Sequence, residues 1–388
     1  MKRICFLTDS IFSFGGVQRV TAVIAKELAK EFDVTIVTFD EPSAQDTSLY
    51  SLSETNINYR FFRYPSVSKI KRLTCKAYSA FYRKCQPQSQ WASNLYARSS
   101  FPSELRKALI RELHEGHYDT IVGVHAPLAA RLATLMPWLP GVRCLGWIHN
   151  SFEALFGSTS LYIGPSLKRH YVYQLQKLNA TIALCQYDAK QFQNYDPRLK
   201  PVVIYNPLTL QPGPVSHGNS KRFLAVGRFS RQHKGFDLLI DAFHLFAQHD
   251  SDWQLDIVGE GPEEEMYRHK IAQYELGDRI HLHPFTNHIQ DFYSKAQVYV
   301  LSSRWEGFGL VLVEAMAHGL PIVSSNLPTS LEIMGDFGLY FQNGDIDDLS
   351  KQLLAAIHID WPAKSAEALA IAHRFDVETI IAQWKTLI

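Results

Sequence analysis

Apolar positions along the chain fall into two alternating patterns. Residues 4–7 form an apolar run that stops at Thr8 and Asp9, which predicts a buried strand. After the turn Phe14-Gly15-Gly16, residues Val20, Val23, Ile24 and Leu28 recur at helical spacing, and 33–39 reads as a second strand. The alternation returns with strands at 120–124, 142–148 and 180–184 and a helix at 128–136. Residues 206–220, rich in Pro, Gly and Ser, then read as a linker. Beyond it come strands at 223–226, 255–258, 279–282, 298–301 and 321–324, with helices at 238–246 and 310–317. Buried strands alternating with amphipathic helices are the pattern of parallel sheets covered on both faces. The expected fold is α/β, two Rossmann-like β/α/β domains facing across a cleft, with ligands beyond the carboxyl ends of the strands. Near the end, Asp376 reads as an N-cap, and Val377, Ile380, Ile381, Trp384 and Ile388 share one helical stripe. The expected boundaries are 1–205, 206–370 and, for this last helix, 371–388.

Length sharpens the picture: 388 residues exceed the roughly 250–300 that one core supports. A composition of 46% hydrophobic and 20% charged residues excludes extensive disorder. The five cysteines are odd in number and lack C-x-x-C spacing, which argues against a disulfide framework or a zinc site. No run of about 18 apolar residues occurs, so neither a signal peptide nor a transmembrane helix is expected, and the cytoplasm is the expected compartment.

The densest chemistry lies in residues 302–319, SSRWEGFGLVLVEAMAHG. A strand ends, a polar loop holds Glu306, and Gly307-Phe308-Gly309 opens a helix that starts at Leu310 and contains Glu314. Glycines admit a ligand to backbone amides, and the positive helix end favours an anion such as a diphosphate. Glu306 then suits hydrogen bonds from sugar hydroxyls, and Glu314 both hydroxyls of a ribose; a structural cap or pair is the competing reading of Glu314. In GRFSRQHKG, residues 227–235, Arg228 and Lys234 bring two cations to another strand end. Fixed cations there stabilise charge building on a leaving diphosphate. A solvated basic loop explains Arg231 and His233 equally well. His149 (in WIHN) and His125 (in VGVHAP) both follow apolar strands, and a satisfied structural histidine is the alternative for either. Gly15-Gly16 fits a phosphate cradle or simply a tight turn. No G-x-G-x-x-G stands there, so an NAD fingerprint is not supported.

In EGFGLVLVE, Glu306 and Glu314 form a Glu-x7-Glu motif, and the chain resembles the retaining glycosyltransferases of the GT-B fold, glycosyltransferase family 4 in particular. Gly15, Gly16 and Arg19, Asn206-Pro207, Gly227-Arg228, Lys234-Gly235 and Gly259-Glu260-Gly261-Pro262 carry the resemblance along the whole chain. It implies a first domain that binds acceptor, a second that binds donor, and a last helix that crosses back onto the first. It places His149 at the donor sugar near the reacting centre, with His125 ranked second; Asn150 stands where many relatives have Asp or Thr. The implied catalytic set is His149, Arg228, Lys234 and Glu306. The implied donor site is Gly15, Gly16, Gly227, Phe285, Glu306, Gly307, Phe308, Gly309, Leu310 and Glu314.

No carboxylate pair flanks a sugar carbon, and no G-x-S-x-G or zincin motif is present. Front-face attack by the acceptor, the mechanism the family favours, is therefore expected, with retention of anomeric configuration. No Asp-x-Asp pair is placed to hold a metal, since Asp345, Asp347 and Asp348 lie at a late helix entrance. No metal or cofactor is expected, Arg228 and Lys234 doing a metal's work. In relatives the loop here formed by His283, Pro284, Phe285 and Thr286 binds the base, and family frequency favours UDP over GDP or ADP.

Between Glu54 and Glu104 there is no acidic residue, whereas Arg60, Arg63, Lys69, Lys71, Arg72, Lys76, Arg83, Lys84 and Arg98 are all basic. The near-neutral total of +1 thus hides a polarised molecule. Ile70, Leu73, Ala77, Phe81 and Cys85 fall at helical spacing, with Tyr78 and Tyr82 alongside. A basic amphipathic helix of this kind suits an anionic membrane surface, through residues 60–100, or a lipid-diphosphate acceptor, with Lys69, Arg72, Lys76, Arg83 and Lys84 as contacts. A helix packed on the first sheet is the alternative, and nucleic acid is not expected because no binding motif accompanies the charge. The expected protein is a retaining, metal-independent transferase, cytoplasmic and peripheral to the inner face of the cell membrane. It would move a sugar from a UDP-sugar to a lipid-linked or cell-surface glycan such as lipopolysaccharide, capsule or exopolysaccharide. A nucleotide-sugar epimerase and a catalytically silent partner subunit are the alternatives; the presence of Arg228, Lys234 and Glu306 speaks against the second.

Overall fold

The computed structural model describes residues 1–158, 160, 162–211 and 213–388; Pro212, in the expected linker, lies outside the described residues. Its contacts divide the chain into two units, Met1–Tyr205 with Ile380–Ile388, and Asn206–Thr379. The second unit thus runs on through Thr379, past the expected boundary at 370. The physical reason is Phe375, which is fully buried and whose carbonyl accepts from the Leu208 amide at 2.8 Å.

In the first unit the strands are β1 (Arg3–Thr8), β2 (Asp33–Thr38), β3 (Asn58–Phe61), β4 (Thr120–Val124), β5 (Arg143–Trp147), β6 (Ala180–Ala183) and β7 (Val202–Val203). They pair in parallel in the order β3-β2-β1-β4-β5-β6-β7. The second unit holds β8 (Arg222–Val226), β9 (Gln254–Val258), β10 (Ile280–His283), β11 (Val298–Leu301), β12 (Ile322–Ser325) and β13 (Leu339–Phe341), ordered β10-β9-β8-β11-β12-β13 and also parallel. Central strands β1, β4 and β11 are buried at nearly every position, as expected where helices cover both faces. In both sheets the order reverses beside the first strand, β1 or β8. That is the switch point at which doubly wound sheets leave a crevice at their carboxyl edge.

The edge strands β3, β7 and β13 escape the periodicity reading. Their residues are mostly half-exposed, so no apolar run marks them.

The final helix, Val377–Lys385, buries Ile380, Ile381 and Trp384. The Trp384 ring lies 4.7 Å from Trp147 and 6.1 Å from Phe6, fully buried behind β5 and β1. Asp376 engages His373 at 3.1 Å.

The basic segment forms a helix, Lys69–Cys85, capped by the Ser68 hydroxyl. It packs on the helix Gln90–Ser100 through Tyr78 and Tyr82, the latter 4.6 Å from Tyr96. The predicted apolar stripe does not face the protein: Ile70 is 80%, Leu73 70% and Phe81 54% exposed, as is Trp91 at 73%. This excludes packing of that stripe on the first sheet. Among the described residues no helix is long and apolar enough to cross a membrane.

Candidate active site

The loops after β8 and β11 meet at the carboxyl edge of the second sheet. After β8 the chain makes one short helix, Arg231–Lys234, ended by Gly235 at φ 64°. That glycine is required: a Cβ there would stand 2.2 Å from the Ser302 carbonyl oxygen, and a left-handed φ strains other residues. The two loops are stitched together by Ser302 Oγ donating to the Lys234 carbonyl at 2.9 Å and by the Arg304 amide donating to the His233 carbonyl at 2.7 Å.

Lys234 is thereby brought 2.6 Å from Glu306, an ion pair with side chains only 13% and 8% exposed. Ser303 Oγ donates to the same carboxylate oxygen at 2.7 Å. Burial pushes the Glu306 carboxyl up, but the Lys234 cation and the neighbouring His233, whose Nε2 is 3.7 Å away, outweigh it and hold the group well below the usual carboxylate range. Glu306 is therefore ionised at neutral pH. His233 stacks on Trp305, with ring centroids 3.8 Å apart and planes 8° apart, which clamps both loops. Arg304 makes two hydrogen bonds of 2.9 Å to Asp237, a buried carboxylate that also takes Arg231 at 3.2 Å. Arg231 stays 65% exposed beside its bond to Asp237, as a solvated basic loop would have it, whereas His233 is 25% exposed and held by the Trp305 ring. Arg228 is exposed and has no ion pair or hydrogen bond among the described residues.

Gly227 lies against the Lys234 stem, where a Cβ would come within 2.9 Å. The Gly259-Glu260-Gly261 loop supports it: the Phe229 amide donates to the Glu260 carbonyl at 2.7 Å. Gly309, at φ 84°, opens the helix Leu310–Ala317. Half-exposed Gly307 and Leu310 flank the helix mouth. The Phe308 ring is buried 5.8 Å from Phe375. Glu314 is buried and accepts from the Tyr293 hydroxyl at 2.9 Å. Phe285 is 45% exposed after β10. Asp345 caps the helix Ile346–Ala356 through the Asp348 amide.

In the first unit, His149 follows β5 and is buried 4.2 Å from Trp147 and 5.3 Å from His125. Burial, with His125 adding to it, holds its pKa well below the usual histidine range, so the ring is neutral. Its Nε2 is buried with no hydrogen-bond partner among the described residues, the kind of orphan that calls for a ligand. His125 stands at the N-cap position of the helix Ala126–Leu135 at φ 71°, and burial lowers its pKa against the raising influence of Asp9 and Asn150. Gly16 is exposed at the start of the helix Gly16–Leu28. Gly15 is less available than the phosphate-cradle reading requires, because the Tyr50 hydroxyl accepts from its amide at 3.0 Å and donates to the Ser13 carbonyl at 2.8 Å.

Sequence reasoning missed Ser303, Trp305, Tyr293 and Tyr50. For Trp305 a signal existed: it and His233 each immediately precede a member of the ion pair.

Of the basic residues in the segment, Arg60 pairs with Glu112 and Glu115, Arg63 with Glu41, and Lys71 with Glu104. Lys69, Arg72, Lys76, Arg83 and Lys84 are exposed with no ion pair among the described residues.

Residues 14–211 match the family model described as Glycosyltransferase Family 4, and residues 210–374 match that of Glycosyl transferases group 1. The chain is 26% identical to an uncharacterised glycosyltransferase of Haemophilus influenzae, covering 100% of both chains. It is 30% identical to the lipopolysaccharide core biosynthesis mannosyltransferase LpsB of Rhizobium meliloti, over 40% of this chain and 42% of that one. The crystal structure of Anabaena HepE in complex with UDP and glucose superposes with a TM-score of 0.75 at 21% identity, over 100% of this chain and 99% of the other.

Proposed function

The chain belongs to glycosyltransferase family 4 and is a glycosyltransferase of GT-B fold, and from that premise we propose that it moves a sugar from a UDP-sugar to a lipid-linked or cell-surface glycan with retention. The observation that carries the donor reading is the buried Lys234–Glu306 pair at 2.6 Å, set beside a glycine-led helix start. In this reading Lys234 and the unpaired Arg228 meet the diphosphate, so that charge developing on the leaving oxygen is met by fixed cations without a metal. Glu306, kept ionised, accepts hydrogen bonds from the sugar, and Glu314 binds the ribose. Phe285, exposed after β10, stacks on the base. The neutral His149 offers its orphan Nε2 to a sugar hydroxyl near the anomeric carbon. The acceptor hydroxyl attacks that carbon on the face the diphosphate leaves, and its proton passes to a diphosphate oxygen. A glycan acceptor is supported by the lipopolysaccharide role in the name of the Rhizobium relative. Residues 60–100 rest on an anionic membrane surface through Ile70, Leu73 and Phe81 and the five unpaired cations around them.

The test is a screen of UDP-, GDP- and ADP-sugars for binding and slow hydrolysis, with EDTA present and absent. UDP-sugars turned over equally with EDTA, and lost in Glu306→Gln, are the expected result. A preference for another base, or activity abolished by EDTA, overturns the donor or the metal part of the reading. The anomeric configuration of the product, read by proton coupling, decides retention.

A further inference from the structure

The first unit contains a cavity of about 220 Å³ walled by the helices Lys69–Cys85, Gln90–Ser100, Ala126–Leu135 and Lys168–Leu175. Two guanidinium groups line it, Arg83 and Arg131, and no carboxylate does. Arg131 lies over the rings of Tyr64 and Phe101 at 5.9 and 5.7 Å, with one hydrogen bond, a long 3.4 Å to the Tyr64 hydroxyl. Arg83 has no ion pair or hydrogen bond among the described residues. Both act electrostatically on Tyr171, whose hydroxyl burial keeps protonated, its pKa pushed up to about 12. The Tyr171 hydroxyl also lacks a hydrogen-bond partner among the described residues, and the Ser100 hydroxyl has only a 3.4 Å bond to the Ala97 carbonyl. The buried His170 is hydrogen-bonded through Nδ1 to the Ser93 hydroxyl at 2.8 Å and is neutral, so it adds no further positive charge.

Two cations beside one concave, partly enclosed space, with hydroxyl donors and no acid, repel each other unless an anion joins them. Forked guanidinium groups fit the oxygens of a phosphoryl group. The place in the fold fits an acceptor. The helix that carries Arg131 begins at His125, which is 5.3 Å from His149, and Tyr64 is within electrostatic reach of Asp9, just past β1. The cavity therefore lies next to the carboxyl edge of the first sheet.

We propose that this cavity binds the phosphoryl group of a phosphorylated acceptor, its oxygens held by Arg83, Arg131, Ser100 and Tyr171. The inference rests on the reading of the first unit as acceptor-binding. A lipid phosphate and a sugar phosphate share this chemistry.

The experiment is calorimetric titration of the full chain with octyl phosphate below its micelle concentration, with glucose 1-phosphate and with glucuronate. Binding of at least one phosphate is expected, weakened about tenfold in Arg83→Gln and further in Arg83→Gln/Arg131→Lys, and unaltered in Lys234→Ala. The tighter of the two phosphates identifies the lipid or the sugar source. Arg83 is exposed, so its variant folds; Arg131→Lys keeps the charge and tests the fork. Phosphate binding unchanged by Arg83→Gln, no phosphate binding at all, or tighter glucuronate binding overturns the proposal. Loss in Lys234→Ala alone would instead assign the phosphate to the donor site. Arginine-dependent phosphate binding without turnover of any UDP-sugar would leave this site standing while the donor reading fails.

Discussion

Lys234 Nζ lies 2.6 Å from Glu306 Oε1, and each is the other's buried countercharge. Removing one member leaves an uncompensated charge, which costs about 3 kcal/mol in sites of this kind. Lys234→Ala is therefore expected to destabilise the second unit by about that amount, and Glu306→Gln by less, since the amide keeps a hydrogen-bond acceptor. The double variant Lys234→Ala/Glu306→Ala is expected to lose less than the sum of the single alanine variants. Urea denaturation measures all of these, and strict additivity would show that the pair is not coupled. Sugar transfer is expected to fall about 100-fold in either single variant.

Acid weakens the fold in two windows. His170 takes a proton below about pH 6.5 in the unfolded chain, but in the folded one, where burial and Lys177 hold its pKa at about 3, it does not. Stability therefore falls as pH drops from 6.5 towards 3, at about 1.4 kcal/mol per unit for such a group. The Glu306 carboxyl is displaced in the sense usual for a paired acid, below its ordinary 4.5. Its contribution is complete above that value and is lost as pH falls through the lower folded value. Denaturant midpoints from pH 8 to 3 should show both declines, and Glu306→Gln should flatten the one below pH 4.5.

Gly235 and Gly141 both have φ in the left-handed region, 64° and 79°. A Cβ on Gly235 would meet the Ser302 carbonyl oxygen at 2.2 Å, while nothing lies within 4 Å of one on Gly141. Gly141→Ala is expected to cost about 1 kcal/mol from backbone strain alone. Gly235→Ala should cost more and also reduce turnover, because the two loops must part and carry Lys234 from Glu306. Equal effects of the two substitutions on stability and turnover would contradict this account.

Trp384 is fully buried against Trp147 and Phe6. Trp384→Ala should lower the stability of the first unit by about 3–5 kcal/mol, whereas Trp384→Phe should retain most of it. A change in the fluorescence of Trp147 in Trp384→Phe would report the contact directly.

The exposed stripe predicts membrane binding with a definite salt and lipid dependence. Co-sedimentation with vesicles containing anionic lipid is expected at low salt and should fall as salt screens the cations. Ile70→Asp/Leu73→Asp should release the protein while leaving the fold intact, as both side chains face solvent. Binding indifferent to these substitutions would place the membrane contact elsewhere.

Much of the fold was legible because central strands buried on both faces leave unbroken apolar runs, as in residues 4–7, 120–124 and 298–301. Edge strands β3, β7 and β13 were not, since half-exposed positions carry no such mark. Glu306, Lys234 and Arg228 could be singled out from a charged residue at a strand end beside glycine. What they do to one another could not.

The sequence by itself determined the two β/α runs, the glycine-led loops and a segment of basic residues without an acid among them. The tertiary structure alone decided partners. Residues 72 positions apart, Lys234 and Glu306, became one ion pair, Arg228 was left without one, and among the described residues six of the segment's nine cations stayed unpaired while three found carboxylates. Periodicity encodes which face a residue presents, because the backbone repeat is local. Which charges meet depends on where loops from different strands converge, and that distance exists only once the sheet has formed.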